Sequence, residues 1–206
     1  IDAELMGKGE KEKKDLYIEG VQNNGIINHY EYIINSEGTI EIRHVLKPEG
    51  KMPLWFPRIG LTLTVSDALD QVKWYGRGPQ ENYPDRKTGY PMGIYASTVQ
   101  AMYEPYLMPQ DYGLRTDVRW LQLTTDKGIG LQFKMNEWFN FNIYPYSTDN
   151  LTKAMYTYQL QKQKGMTLNL DYATTGVGCT ARGVFGAYKA MPQEYRRTIS
   201  IRPMMK

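Results

Sequence analysis

The side chains that could do chemistry are few. Two histidines, His29 and His44, stand close together near the start of the chain. Two histidines with a carboxylate could move protons on a sugar ring. Here, however, His44 continues an apolar alternation and His29 falls within a strand pattern, so both read as structural. Paired carboxylates are the engine of glycoside hydrolysis, and the candidates are Glu81 with Asp85, Asp111 with Asp117, and Glu104. All lie beside Pro, Gly or turn residues, where acids usually make turns and caps. None is therefore read as catalytic. One cysteine, Cys179, excludes an internal disulfide. Metal-ligand spacing is missing, and so is a nucleophile elbow. Gly76-Arg77-Gly78-Pro79 imitates a phosphate loop, but Pro79 lacks the backbone donor that such a loop needs.

The elements around these residues read as strands. The chain has 206 residues, 41 % of them apolar, enough for one large all-β domain. Gly and Pro punctuate short β-branched and aromatic runs throughout. The expected strands are Leu16 to Val21, Ile26 to Ile34, Thr39 to Leu46, Ile59 to Val65, Gln71 to Tyr75, Arg115 to Thr124, Gly130 to Met135, Phe139 to Ile143, Met155 to Leu160, Met166 to Tyr172 and Arg196 to Arg202. So many strands at this spacing mean a sandwich or a barrel. One short helix is expected over Thr148 to Ala154, capped by Ser147. The first hairpin can be read to its register. Gly38 in the left-handed region closes a short bulged loop after Asn35. That sets Ile34 against Ile40, Tyr32 against Ile42 and Tyr30 against His44 on one face, with Glu31 opposite Arg43 on the wet face.

Charge excludes some partners. The net charge of +3 comes from 25 basic and 22 acidic residues, too even for nucleic acid or an anionic membrane. No apolar run nears the roughly 18 residues of a membrane helix, and no signal-peptide pattern opens the chain. The mixed Lys and Glu run from Lys8 to Lys14 reads as a solvated tail, giving a linker over 1–14 and one domain over 15–206. A start at Ile1 without Met suits a segment of a longer protein. The 17 Tyr and four Trp supply many half-buried strand faces, or rings able to stack on sugars.

The stretch from Trp74 to Arg86 is the most specific, and its Gly-Pro-Gln-Glu-Asn-Tyr-Pro-Asp-Arg string runs from Gly78 to Arg86. Further motifs are Pro57-Arg58-Ile59-Gly60, Tyr103 to Gln110, Gly113-Leu114-Arg115, Asp117 to Trp120, Phe141-Asn142-Ile143, Leu168 to Asp171 and Gly176-Val177-Gly178. Together they resemble the C-terminal small-chain domain of bacterial β-galactosidases of the second glycoside hydrolase family. The resemblance implies a large two-sheet antiparallel sandwich of the galactose mutarotase-like kind. It implies a non-catalytic domain that packs on a separate catalytic barrel and other domains of one parent chain. There it would shape a cleft that hydrolyses terminal β-galactosides. It implies no cofactor in this domain, with any Mg or Na ion bound elsewhere, and a parent able to form homo-oligomers. The compartment, bacterial cytoplasm or periplasm, is left open. A free carbohydrate-binding module and a mutarotase-like epimerase are the alternatives.

The resemblance also nominates residues. Glu81, Asn82, Tyr83, Asp85 and Arg86 would form a stiff loop, chiefly structural, that also presents a docking surface. Arg182, Gly183, Phe185 and Tyr188 would line the cleft. Members of the family place a sugar-facing Trp where this chain has Gly183. The family's usual Asn before Gly113 is Tyr112, and Tyr156 and Tyr158 stand where His is common. With no Trp at that place, sugar selectivity would rest more on hydrogen bonds, with Arg182 the principal donor.

Overall fold

The computed structural model describes residues 25–178 and 183–205. The tail expected over 1–14 and the strand expected over Leu16 to Val21 lie outside the described residues. So do Cys179 and Arg182. The strands are β1 (Gly25–Ile34), β2 (Ile40–Glu49), β3 (Arg58–Val65), β4 (Gln71–Arg77), β5 (Met92–Thr98), β6 (Arg115–Thr124), β7 (Gly130–Tyr144), β8 (Met166–Thr174) and β9 (Tyr195–Met204). Among the described residues one α-helix, α1, spans Thr148–Lys153.

The fold is all-β and antiparallel, with a main strand order β1-β2-β9-β7-β6-β4-β5. It forks at β7. The first half of β7 pairs with β9, from Gly130 with Met204 to Met135 with Ile199. Its second half pairs with β8, from Asn140 with Asp171 to Tyr144 with Thr167, and β8 carries β3 on its far edge. A strand this long can serve both arms because each needs only about half its length. The arms enclose one apolar core. Ile42, Trp74, Leu121, Phe133 and Ile199 come from one side of it, and Ile59, Val65, Leu168 and Leu170 from the other. This is the expected sandwich.

The hairpin β1–β2 has the register read from its alternation, Ile34 with Ile40 through Tyr30 with His44. Gly38 has φ +76°, and Arg43 reaches Glu31 at 3.1 Å on the exposed face. His44 is buried. Its Nδ1 lies 2.7 Å from the Tyr172 hydroxyl and its Nε2 lies 3.0 Å from Asn28 Oδ1. Burial lowers its pKa to about 4, so the ring is neutral at pH 7. The Ser147 side chain accepts from Asn150 N at 3.0 Å, capping α1 as expected.

Three expectations are corrected. Met155 to Leu160 is not a strand. It holds a 3-10 turn over Thr157–Gln159, tied by the Gln159 side chain accepting from Met155 N at 2.7 Å. Its alternation imitates a strand, but no described strand pairs with it. The two strands expected within 130–143 are one, because Asn136 to Trp138 stay extended across the fork. Finally, β5 was not expected. It is an edge strand paired only with β4, its Ile94 is exposed, and Gly93 interrupts its pattern.

Candidate functional site

The loop after β4 is built as a rigid hub. Pro84 sits in a turn in which Arg86 N donates to Tyr83 O at 2.8 Å, suiting the fixed φ of proline. The Glu81 carboxylate accepts from Arg86 Nη2 at 2.8 Å, Gly113 N at 2.9 Å, Tyr83 OH at 3.2 Å and Tyr106 OH. Burial works to raise its pKa. The donors from Tyr106, Gly113 and Arg86 outweigh burial and hold it below the ordinary carboxylate range. Asn82 accepts from Thr116 N at 3.0 Å and is itself buried. The Arg86 guanidinium lies 5.2 Å from the centroid of the Tyr83 ring.

Asp85 leaves this hub and clasps a second loop. Its carboxylate accepts from Val177 N at 3.0 Å and Gly178 N at 2.7 Å. Two successive backbone N–H groups at such a bend make a small anion nest. Gly178 has φ +65°, and a Cβ at Gly176 would lie 2.3 Å from Asp85 Cγ, so both positions call for glycine. Gly176 N donates to Tyr188 O at 2.8 Å, which ties down the next segment. The loop nominated for docking and the loop nominated for the cleft therefore form one unit.

Beside this clasp lies an open cleft of about 290 Å³, lined by Pro84, Lys87, Asp117, Trp138, Tyr172 and Tyr188. Tyr188 is thus on its wall, while Gly183 and Phe185 are outside it, with Phe185 67 % exposed. Arg182 lies outside the described residues. Asp117, at φ +56°, holds Arg77 Nε at 2.6 Å and Lys87 Nζ at 2.8 Å. Burial pushes its carboxyl up, but Lys87 and Arg77 pull it further down, so it is charged. Trp138 is 58 % exposed, and the Arg119 guanidinium sits 3.6 Å from its ring centroid. Sequence reasoning missed Trp138. Its signal was the break in alternation between Met135 and Phe139, which marks where β7 turns from one arm to the other.

Asp171 and Asp111 are committed elsewhere, whereas the Glu104 side chain has no hydrogen bond or ion pair with a described residue. Asp171, 2 % exposed, accepts from Arg58 Nη2 at 2.7 Å. Burial raises its pKa to about 6 despite that partner. Arg58 also reaches Asp111 at 3.2 Å, and Asp111 accepts from Asn142 Nδ2 at 2.9 Å and Tyr144 OH at 3.1 Å. So Glu81 does not face Asp85, and Asp111 does not face Asp117. Glu104 is half-buried. Burial first, then the charge of Glu81, raises its carboxyl. Among the described residues no cluster of three His, Cys, Asp or Glu side chains could hold a metal ion.

The class defined by these observations is an all-β antiparallel sandwich in which Glu81, Asp85, Asp111, Asp117 and Asp171 are held by partners within the domain. The model of the β-galactosidase small-chain family matches residues 6–201. The chain belongs to that family. The β-galactosidase of Priestia megaterium is 38 % identical over 147 residues, covering 71 % of this chain and 14 % of that protein. That of Vibrio cholerae is 39 % identical over 122 residues, covering 59 % and 11 %. The chain therefore spans about one seventh or less of the length of these relatives. A putative aldose 1-epimerase from Escherichia coli aligns over 89 % of this chain and 62 % of its own, at TM-score 0.40 and 7 % identity, a likeness too slight to bear on fold or function.

Proposed function

We propose that this chain is a non-catalytic wall of a β-galactosidase-type glycoside hydrolase, closing one side of the cleft in which terminal β-galactosides are hydrolysed. The observation that carries this reading is the state of the acids. A retaining glycosidase needs two carboxyl groups about 5 Å apart across the scissile bond. Here Glu81, Asp85, Asp111, Asp117 and Asp171 are each spent on guanidinium, ammonium or amide partners of the same domain. The catalytic glutamates then belong to a barrel elsewhere in the parent chain, as does any Mg or Na ion. Glu81, Asn82 and Tyr83 are buried and stiffen the clasped loops from inside, so the surface offered to that barrel is made by Asp85 and the exposed Arg86. The aromatic rings of Tyr188, Phe185 and Trp138 are exposed to solvent.

The test uses the full-length parent. Tyr188→Ala, Trp138→Ala and Arg182→Ala should each raise KM or lower kcat on β-galactosides while the denaturation midpoint stays unchanged. Unaltered kinetics in all three variants would remove the cleft-wall reading.

A further inference from the structure

A second cleft of about 360 Å³ opens between the β3–β4, β5–β6 and β7–β8 connections. Its volume falls in the range of small-molecule sites, roughly 300–1,000 Å³. Three tyrosines from two connections meet there. Tyr103 follows β5, Tyr112 precedes β6 and Tyr146 follows β7. Tyr103 and Tyr112 pack edge to face at 5.3 Å between centroids. The three phenols are close enough to act on one another. Burial, then Tyr146 and Tyr103, push Tyr112 upward, and burial, then Tyr103, push Tyr146 upward. The Tyr112 and Tyr146 hydroxyls therefore stay protonated at neutral pH, able to donate and to accept.

None of these three hydroxyls has a hydrogen-bond partner among the described residues. The Tyr112 ring is packed away, the residue being only 2 % exposed, but its hydroxyl is not among the fully buried unpartnered atoms and so is open to the cleft. Apolar surface from Val99 and Met166 lies beside the rings, and at the rim stand Asp67 and Lys162, which also make no hydrogen bond or ion pair with a described residue.

We propose that this cleft binds one hexopyranose ring. A pyranose presents an apolar C–H face and a girdle of hydroxyls that both donate and accept. The cleft offers apolar surface, ring faces, and three hydroxyls of the same dual character. Acid and base at one rim favour a neutral ligand over an ion. The site is separate from the cleft beside Asp85, and its existence does not depend on the cleft-wall reading.

The chain should be titrated with galactose, glucose and N-acetylglucosamine while the tyrosine ring signals are followed by NMR. At least one sugar should shift the Tyr103, Tyr112 and Tyr146 signals saturably, with Kd on the order of 1 mM. Tyr112→Phe keeps the ring packing and should weaken binding about tenfold, as loss of a hydrogen bond to a neutral ligand does. Asp67→Asn, at the exposed rim, should weaken it without changing the fold. Trp138→Ala should leave it unchanged. No saturable shift with any of the three sugars would overturn the proposal. Equal affinity in Tyr112→Phe and Asp67→Asn would do the same, as would loss of binding in Trp138→Ala.

Discussion

The β8 face turned away from the apolar core and the outer side of β7 break the ordinary rule of burial in opposite directions. On β8, Thr167, Asn169 and Asp171 are buried, and Asp171 is ionised against Arg58 inside a mesh with Asn142 and Tyr144. On β7 and the nearby loop, Trp138, Tyr188 and Phe185 are left in water. Buried charge is retained only when it is paired and hydrogen-bonded. A group of exposed large rings marks a surface meant for contact. The comparison teaches that charge in this chain holds the scaffold, while its aromatic rings are free to meet something else.

The largest effect should come from breaking the charged side. Arg58→Ala leaves Asp171 buried without its cation and should cost about 3–5 kcal/mol in urea denaturation. Arg58→Lys should recover little of this, because an ammonium cannot span Asp171, Asn142 and Asp111 as the guanidinium does. If Arg58→Ala costs less than about 1 kcal/mol, well under that range, the buried mesh is not the scaffold.

Next comes the clasp. Gly176→Ala drives a Cβ into the Asp85 carboxylate and should cost about 1–3 kcal/mol. The same substitution in an Asp85→Gly background should cost clearly less, since the clashing group is gone. Equal costs in the two backgrounds, measured as a double-mutant cycle, would mean that Asp85 is not what confines Gly176.

A smaller effect is expected from pH. The folded pKa of His44 is depressed from 6.5 to about 4. Its contribution to stability is full above pH 6.5 and is lost as pH falls toward 4. Asp171 works the other way. Its folded pKa is raised from 3.8 to about 6, so its contribution is full below pH 3.8 and is lost as pH rises through 6. His44→Gln should therefore flatten the acid-side loss of stability, and Asp171→Asn should steepen it. Unchanged pH profiles in both variants would contradict these assignments. The smallest effect belongs to the aromatic side. Trp138→Ala should change stability by less than about 0.5 kcal/mol, and a large loss would place Trp138 in the scaffold after all.

Local features were legible in the sequence, and long-range ones were not. The register of β1 with β2 follows from alternation and one glycine, all within a short stretch. The cap at Ser147 is equally local. By contrast, the fork in β7 depends on two partners far away in the chain, so Asn136 to Trp138 looked like a gap between strands. The imitation strand over Met155 to Leu160 failed for want of a neighbour, which periodicity cannot supply. At the site, the string from Gly78 to Arg86 marked the hub. Its clasp joins Asp85 to Val177 and Gly178 across more than ninety residues, and no local pattern encodes that distance.

The central claim is that the acids of this chain are structural and do no hydrolysis. The direct measurement is turnover of nitrophenyl-β-galactoside by the purified chain, alongside its Glu81→Gln variant. The expected result is no turnover above buffer in either sample. Turnover by the chain that Glu81→Gln abolishes would contradict the account.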